Sequence, residues 1–176
     1  SSDLYQAVMA RRGELVEASL QINYEEFELE GVAFDYEKMM SEAAYSMEEM
    51  IEIQRSLGVG NTPIVELKNL TKLARKYAPQ GNGARIFVKD EAANASGSFK
   101  DRRAAISGYH AKKLGYEGVV TATSGNYGAA VACHAAKLGL KCIVVQECFD
   151  SKGVGQPEIV EKARKCEALG AEVVQL

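Results

Sequence analysis

Gly118-Val119-Val120-Thr121-Ala122-Thr123-Ser124-Gly125-Asn126-Tyr127-Gly128 passes from a β-branched run, through small residues, into the nearly all-apolar stretch 129–138. The first five residues read as a short strand of the buried type. Residues 123–128 read as a tight turn, and the stretch after them as a helix. The same grammar recurs along the chain. Leu114-Gly115, Leu138-Gly139 and Leu169-Gly170 each close a helical stretch, and each precedes a β-rich segment, at 118–122, 140–146 and 171–175. Glycine just past the last turn is a helix-stop signal. Pro157 suits the first turn of the third helix. Helices alternating with short strands predict an α/β fold, a doubly wound parallel sheet. Ligands of such sheets bind at the carboxyl ends of the strands, which is where the 123–128 turn falls.

That turn has a chemistry of its own. Backbone N–H groups where a strand turns into a helix make an anion site. Gly125 and Gly128 allow close backbone approach, and Asn126 carries an amide able to reach a ring hydroxyl. The same residue types also suit a turn chosen for backbone reasons alone. Upstream lies a second run, Ser96-Gly97-Ser98-Phe99-Lys100-Asp101-Arg102. It follows a strand within 85–91 and precedes a helical stretch to about Leu114, with Ser96 or Ser98 as the expected N-cap. Lys100 then sits in or near the first helical turn, where the dipole disfavours a cation and favours a neutral amine. Taken alone, Lys100 reads more readily as a solvated lysine on an amphipathic helix. The two runs in this order bring an amine to a ring of backbone donors, the arrangement that pyridoxal phosphate chemistry requires.

At these residues the chain resembles the fold-type II pyridoxal-phosphate enzymes, the family of tryptophan synthase β, threonine synthase, threonine dehydratase and cysteine synthase. The resemblance implies that Lys100 is the Schiff-base lysine and that Ser98 and Asn126 contact the cofactor. It implies that Thr123, Ser124, Gly125, Asn126, Tyr127 and Gly128 hold the substrate carboxylate. Thr62-Pro63, followed by Ile64, Val65 and Leu67, looks like the family's entry segment. Asn94-Ala95-Ser96 departs mildly from the family's usual triplet before Gly-Ser-Phe-Lys. The family's glycine-rich phosphate loop and the residue facing the pyridine nitrogen lie further downstream, so the chain looks like the front part of a longer enzyme. Within the family, residues 34–40, 90–94 and 153–158 resemble the thiolase branch, which implies cleavage of 2-amino-4-oxopentanoate by coenzyme A to acetyl-CoA and alanine. The implied partners are that amino acid, coenzyme A, and an α subunit or further copies of the chain. Threonine synthase-like chemistry, ammonia-lyase or β-replacement chemistry, and a noncatalytic regulatory subunit of the same fold stay open.

Composition bounds the other classes. The apolar fraction of 47% is ordinary for a globular chain. No apolar run approaches the roughly 18–20 residues of a membrane span, and residues 1–4 lack a basic-then-apolar leader pattern. Cys133, Cys142, Cys148 and Cys166 form no C-x-x-C pair, and with His110 and His134 scattered, no metal site is expected. The cysteines read as reduced, as in the cytoplasm. His134, on an apolar helix, reads as a packed or partnered histidine. Residues 1–60 carry 13 acidic and 4 basic side chains, hence −9; the remainder carries 11 and 17, hence +6. The basic excess is scattered, which argues against nucleic-acid binding. Two parts are expected: a helical extension over 1–60, with helices at 2–20 and 35–57, and the front of the catalytic region over 61–176. A stripe of Met39, Met40, Ala43, Met47, Met50, Ile51 and Gln54 is the expected packing face of the second helix.

Overall fold

The computed structural model describes residues 2–11, 13–14, 17–18, 22–30, 35–43, 45–123 and 125–176. The chain divides into two compact units, Ser1–Glu52 and Ile53–Leu176.

In the first unit, helix α1 spans Ser2–Ala10, a 3-10 turn spans Tyr24–Phe27, and α2 spans Tyr36–Ala43. The single helix expected over 35–57 is instead two, because α3 starts afresh at Met47 and runs to Ser56. The interruption is a capping box. The Ser46 hydroxyl accepts the Glu49 N–H at 3.2 Å, and the Glu49 carboxylate accepts the Ser46 N–H at 2.7 Å. At α2 the Asp35 carboxylate likewise accepts the Lys38 N–H. The restart shifts the helical phase, so the expected methionine stripe is not one buried face. Met39, Tyr45 and Ile53 are buried, whereas Met47 and Ile51 are 53% and 47% exposed. The side chains of Met40 and Ala43 lie outside the described set, as does Leu20 at the end of the first expected helix.

The second unit opens with an antiparallel pair, β1 (Ile64–Glu66) and β2 (Phe87–Lys89), flanking α4 (Lys68–Tyr77). A repeating run then follows: α5 (Asp101–Lys113), β3 (Gly118–Ala122), α6 (Asn126–Leu138), β4 (Lys141–Gln146), α7 (Pro157–Ala168) and β5 (Glu172–Gln175). Strands β3, β4 and β5 form a parallel sheet in that order, with Val120 opposite Ile143 and Val145 opposite Val174. Helix α6 is the core element. Ala129, Ala130, Ala132 and Ala135 are buried, and these small side chains let α5, α7 and the sheet approach it closely. Val144 and Ile159 are fully buried, each worth roughly 1.5–3 kcal/mol of apolar transfer.

Strand alternation splits β4 into two faces. Cys142, Val144 and Gln146 point toward α6, while Ile143 and Val145 point away with Val120 and Val174. The second face is apolar yet open, with Val120 70% exposed. Strands apolar on both faces are the composition of a parallel sheet covered by helices on both sides.

Candidate functional site

The loop between β2 and α5 carries Lys100, and it is held at both ends. At its start the Glu91 carboxylate accepts Arg102 Nε and Nη2 at 2.7 and 2.8 Å, the Thr62 hydroxyl at 2.7 Å and the Asn94 amide at 3.0 Å. The Asn94 side-chain Oδ1 accepts the Gly60 N–H at 3.0 Å, and Lys89 Nζ donates to the Thr62 backbone carbonyl. Arg102 first, then Thr62, hold the Glu91 carboxyl down to about 2. At the far end Asp101 is fully buried. Its carboxylate accepts the Ser96 N–H at 2.9 Å, the Ser96 hydroxyl at 2.5 Å and His134 Nε2 at 2.6 Å.

Ser96 and Ser98 were the expected N-caps of this helix, and neither is. The cap position is Lys100 itself, at φ −61° and ψ −22°, with no side-chain cap bond. The turn before it is already wound, since Asp101 N bonds Ser98 O and Arg102 N bonds Phe99 O. The serines are used otherwise. Ser98 Oγ accepts the Lys100 N–H at 3.3 Å, and Ser96 serves Asp101. The Lys100 side chain is half-buried. Its Nζ lies 4.6 Å from the Phe99 ring centroid and makes no hydrogen bond or ion pair among the described residues.

The second run sits where β3 turns into α6. The Thr123 hydroxyl accepts the Gly125 N–H at 3.0 Å. Gly125 caps α6 in an extended conformation, and a Cβ there would meet nothing within 4 Å. Gly128 is the opposite case. A Cβ would fall 2.4 Å from Thr123 Cγ2 and 2.9 Å from Val144 Cγ1, so only glycine lets the first turn of α6 settle on the sheet. Asn126 is exposed as the first residue of α6, and Tyr127 lies under Arg103, whose guanidinium is 5.1 Å from the ring. Ser124 lies outside the described residues. A cavity of about 520 Å³ opens at the carboxyl ends of β3 and β4, lined by Ala122, Thr123, Val145, Glu147, Phe149, Asp150 and Leu176. It includes Thr123 but not Lys100.

The structure therefore brings Thr123, Gly125 and Gly128 into one turn, and Lys100 with Ser98 into another. The two turns start adjacent helices, joined by the contacts of Arg103 with Tyr127 and of Asp101 with His134. An unengaged amine, an open glycine-lined helix start and one further feature suit a phosphate-bearing aromatic aldehyde. That feature is Gln146, whose buried side-chain amide has neither atom paired among the described residues. It lies on the α6-facing side of β4, two residues beyond Val144 toward the turn.

Sequence reasoning passed over the Glu91 clamp and the Asp101–His134 pair. Nothing periodic marks Glu91 or Arg102. The histidine was the available signal, because a polar ring in an alanine-rich buried helix requires a partner. Burial pushes the His134 imidazolium down against the pull of Asp101. All four cysteines are buried and unbridged, and burial raises the Cys142 thiol to about 11. Among the described residues no helix is long and apolar enough to cross a membrane.

Known proteins resemble this chain in sequence and fold. The chain is 69% identical over 172 residues to the 2-amino-4-ketopentanoate thiolase beta subunit of Acetoanaerobium sticklandii, covering 98% of this chain and 37% of that one. It is 35% identical to a threonine synthase of Bacillus sp. strain ULM1, over 69% of this chain and 30% of the relative. Among solved structures, a pyridoxal 5′-phosphate-dependent aspartate racemase matches with a TM-score of 0.55 and 29% identity, over 72% of this chain and 36% of that one. The chain thus spans 37% of the length of the thiolase subunit and 30% of that of the threonine synthase. The model of the family described as "Pyridoxal-phosphate dependent enzyme" matches residues 55–176, the whole α/β unit from the end of α3 onward, and the chain belongs to that family.

Proposed function

We propose that the protein works as the β subunit of a thiolase that cleaves 2-amino-4-oxopentanoate with coenzyme A, giving acetyl-CoA and alanine. The carrying observation is the 69% identity to the thiolase subunit over nearly the whole chain. In this reaction the thiol sulfur bonds to C4 of the substrate, the bond between C3 and C4 breaks, and a proton is delivered to C3. Pyridoxal phosphate supplies the electron sink that makes the C3 carbanion accessible.

The chain's own residues divide the remaining work. Lys100 would hold the cofactor, and its amine would serve to move a proton at the substrate. Ser98 fixes the backbone beneath it. Backbone N–H groups of the 123–128 turn, with Thr123, Ser124 and Tyr127, orient the substrate carboxylate, and Asn126 supports the cofactor ring. Residues 1–60 serve as a helical extension to the catalytic part. An α subunit, implied by the relative's designation as a beta subunit, completes the assembly, which works in the cytoplasm.

The test is substrate dependence. The full-length protein with its partner subunit should release acetyl-CoA only when coenzyme A and 2-amino-4-oxopentanoate are both present. The threonine synthase relationship motivates a second reading. Phosphate release from O-phosphohomoserine, or ammonia release from threonine, faster than any thiolytic activity would establish that reading instead.

A further inference from the structure

We propose that the buried network Ser96–Asp101–His134 is a positioning device that holds the Lys100 turn in register for covalent capture of the cofactor aldehyde, with His134 as the positioning residue. The proposal rests on the assignment of Lys100 as the cofactor-bearing lysine. Its basis is geometric. Asp101 follows Lys100 directly and has no exposed surface. One carboxylate ties three segments together: the loop at Ser96, the start of α5, and the middle of α6 at His134. A fourth joins through the backbone, since Lys165 Nζ on α7 donates to the Ser96 carbonyl at 2.5 Å.

The chemistry of the network is specific. A buried carboxylate needs donors, and this one has three. Two come from Ser96 in the loop before α5, and the third comes from α6, the most buried helix of the unit. His134 is itself fully buried, and its other ring nitrogen has no partner among the described residues. Among the described residues its one side-chain hydrogen bond is to Asp101. An apolar residue would fill the same place without the cost of burying a polar ring. What an apolar residue cannot do is fix Asp101, and through it the backbone that carries Lys100. Two turns along the same face of α5 from Asp101, Gly108 keeps α5 close to α6, since a Cβ there would lie 3.0 Å from Leu138 Cδ1 and 3.8 Å from His134 Cβ.

The test compares two forms of the cofactor on the full-length protein. Pyridoxal phosphate bonds to a lysine; pyridoxamine phosphate fits the same pocket but has no aldehyde and cannot. Dissociation constants for both are measured on wild type, His134→Leu, His134→Gln and Ser96→Ala. One hydrogen bond to a charged group is worth roughly ten- to a hundredfold in an equilibrium constant. His134→Leu should weaken pyridoxal phosphate by at least about tenfold and leave pyridoxamine phosphate unchanged. His134→Gln, whose amide reaches where Nε2 stands, should restore most of the loss. Ser96→Ala should show the same selective loss, and it carries the test if the leucine variant does not fold. Parallel weakening of both ligands, or no change in either, overturns the proposal. Lys100→Ala separates the underlying assignment: it should erase the preference for pyridoxal phosphate over pyridoxamine phosphate. A preference that survives Lys100→Ala shows that the lysine assignment itself has failed.

Discussion

Replacing Gly128 by alanine adds one methyl group at the point where α6 meets the sheet, and the structure sets its cost. The new Cβ would lie 2.4 Å from Thr123 Cγ2 and 2.9 Å from Val144 Cγ1. Val144 is fully buried and has nowhere to retreat. Overpacking of this kind costs about 1–3 kcal/mol. Relief by rotating Thr123 breaks its bond to the Gly125 N–H, about 1 kcal/mol more. Alanine's better helix propensity returns about 1 kcal/mol. The net expectation is a loss of about 2 kcal/mol, with distortion of the turn proposed to hold the substrate carboxylate. Gly125→Ala is the control, because its backbone is extended and a Cβ there meets nothing. Urea unfolding of the cofactor-free protein reads the stability, and titration with pyridoxal phosphate reads the site. If Gly128→Ala unfolds within about 0.5 kcal/mol of Gly125→Ala, the close approach of α6 to Thr123 and Val144 is wrong.

Other perturbations separate scaffold from site. Glu91→Gln should cost about 1–2 kcal/mol, since charge-assisted bonds of roughly 1.5–3 kcal/mol are screened where the Arg102 side chain is 38% exposed. The folded Glu91 carboxyl lies near 2, below its ordinary 4.5, so its stabilisation is complete above about pH 4.5 and is lost as pH falls toward 2. The variant should lack that part of the acid-induced loss, and identical acid profiles would refute the clamp. Asn126→Ala should leave unfolding unchanged and weaken cofactor binding by roughly tenfold or more. Asn94→Ala should do the reverse, because Asn94 is buried between Gly60 and Glu91; a stable Asn94→Ala would refute its structural role. Gln146→Met should stabilise the cofactor-free protein by about 1 kcal/mol, because it removes two unpaired buried polar atoms. A loss measured by urea unfolding would show that the amide is engaged.

The alternation of helix and strand was legible because each helix ends in a Leu-Gly stop and each strand is β-branched. The parallel order β3-β4-β5 follows from that regularity, with boundaries displaced by only a residue or so at 140–146 and 171–175. Helix α6 begins earlier than its apolar run suggested, at Asn126, because Gly125 and Gly128 belong to its cap and first turn. The break between α2 and α3 was written in Ser46 and Glu49, a local signal overridden by the longer methionine spacing. The N-cap of α5 was misplaced because Ser96 and Ser98 look like caps locally but are claimed by Asp101 and the Lys100 N–H. The antiparallel pairing of β1 with β2 joins segments 20 residues apart across a helix, and nothing in either short strand announces its partner. The long-range polar bonds from Asp101 to His134 and from Glu91 to Thr62 were equally silent, since pairing between distant residues leaves no periodic trace.

Reduction of the cofactor-loaded, full-length protein with borohydride, followed by peptide mapping, tests the role of Lys100 directly. The expected result is a single pyridoxyl label on Lys100, with Lys100→Ala losing both the label and the visible absorption band while unfolding like wild type. A label on Lys89, which is bonded to the Thr62 carbonyl, or on Lys112, which donates to the Leu138 carbonyl at 2.6 Å, would contradict it.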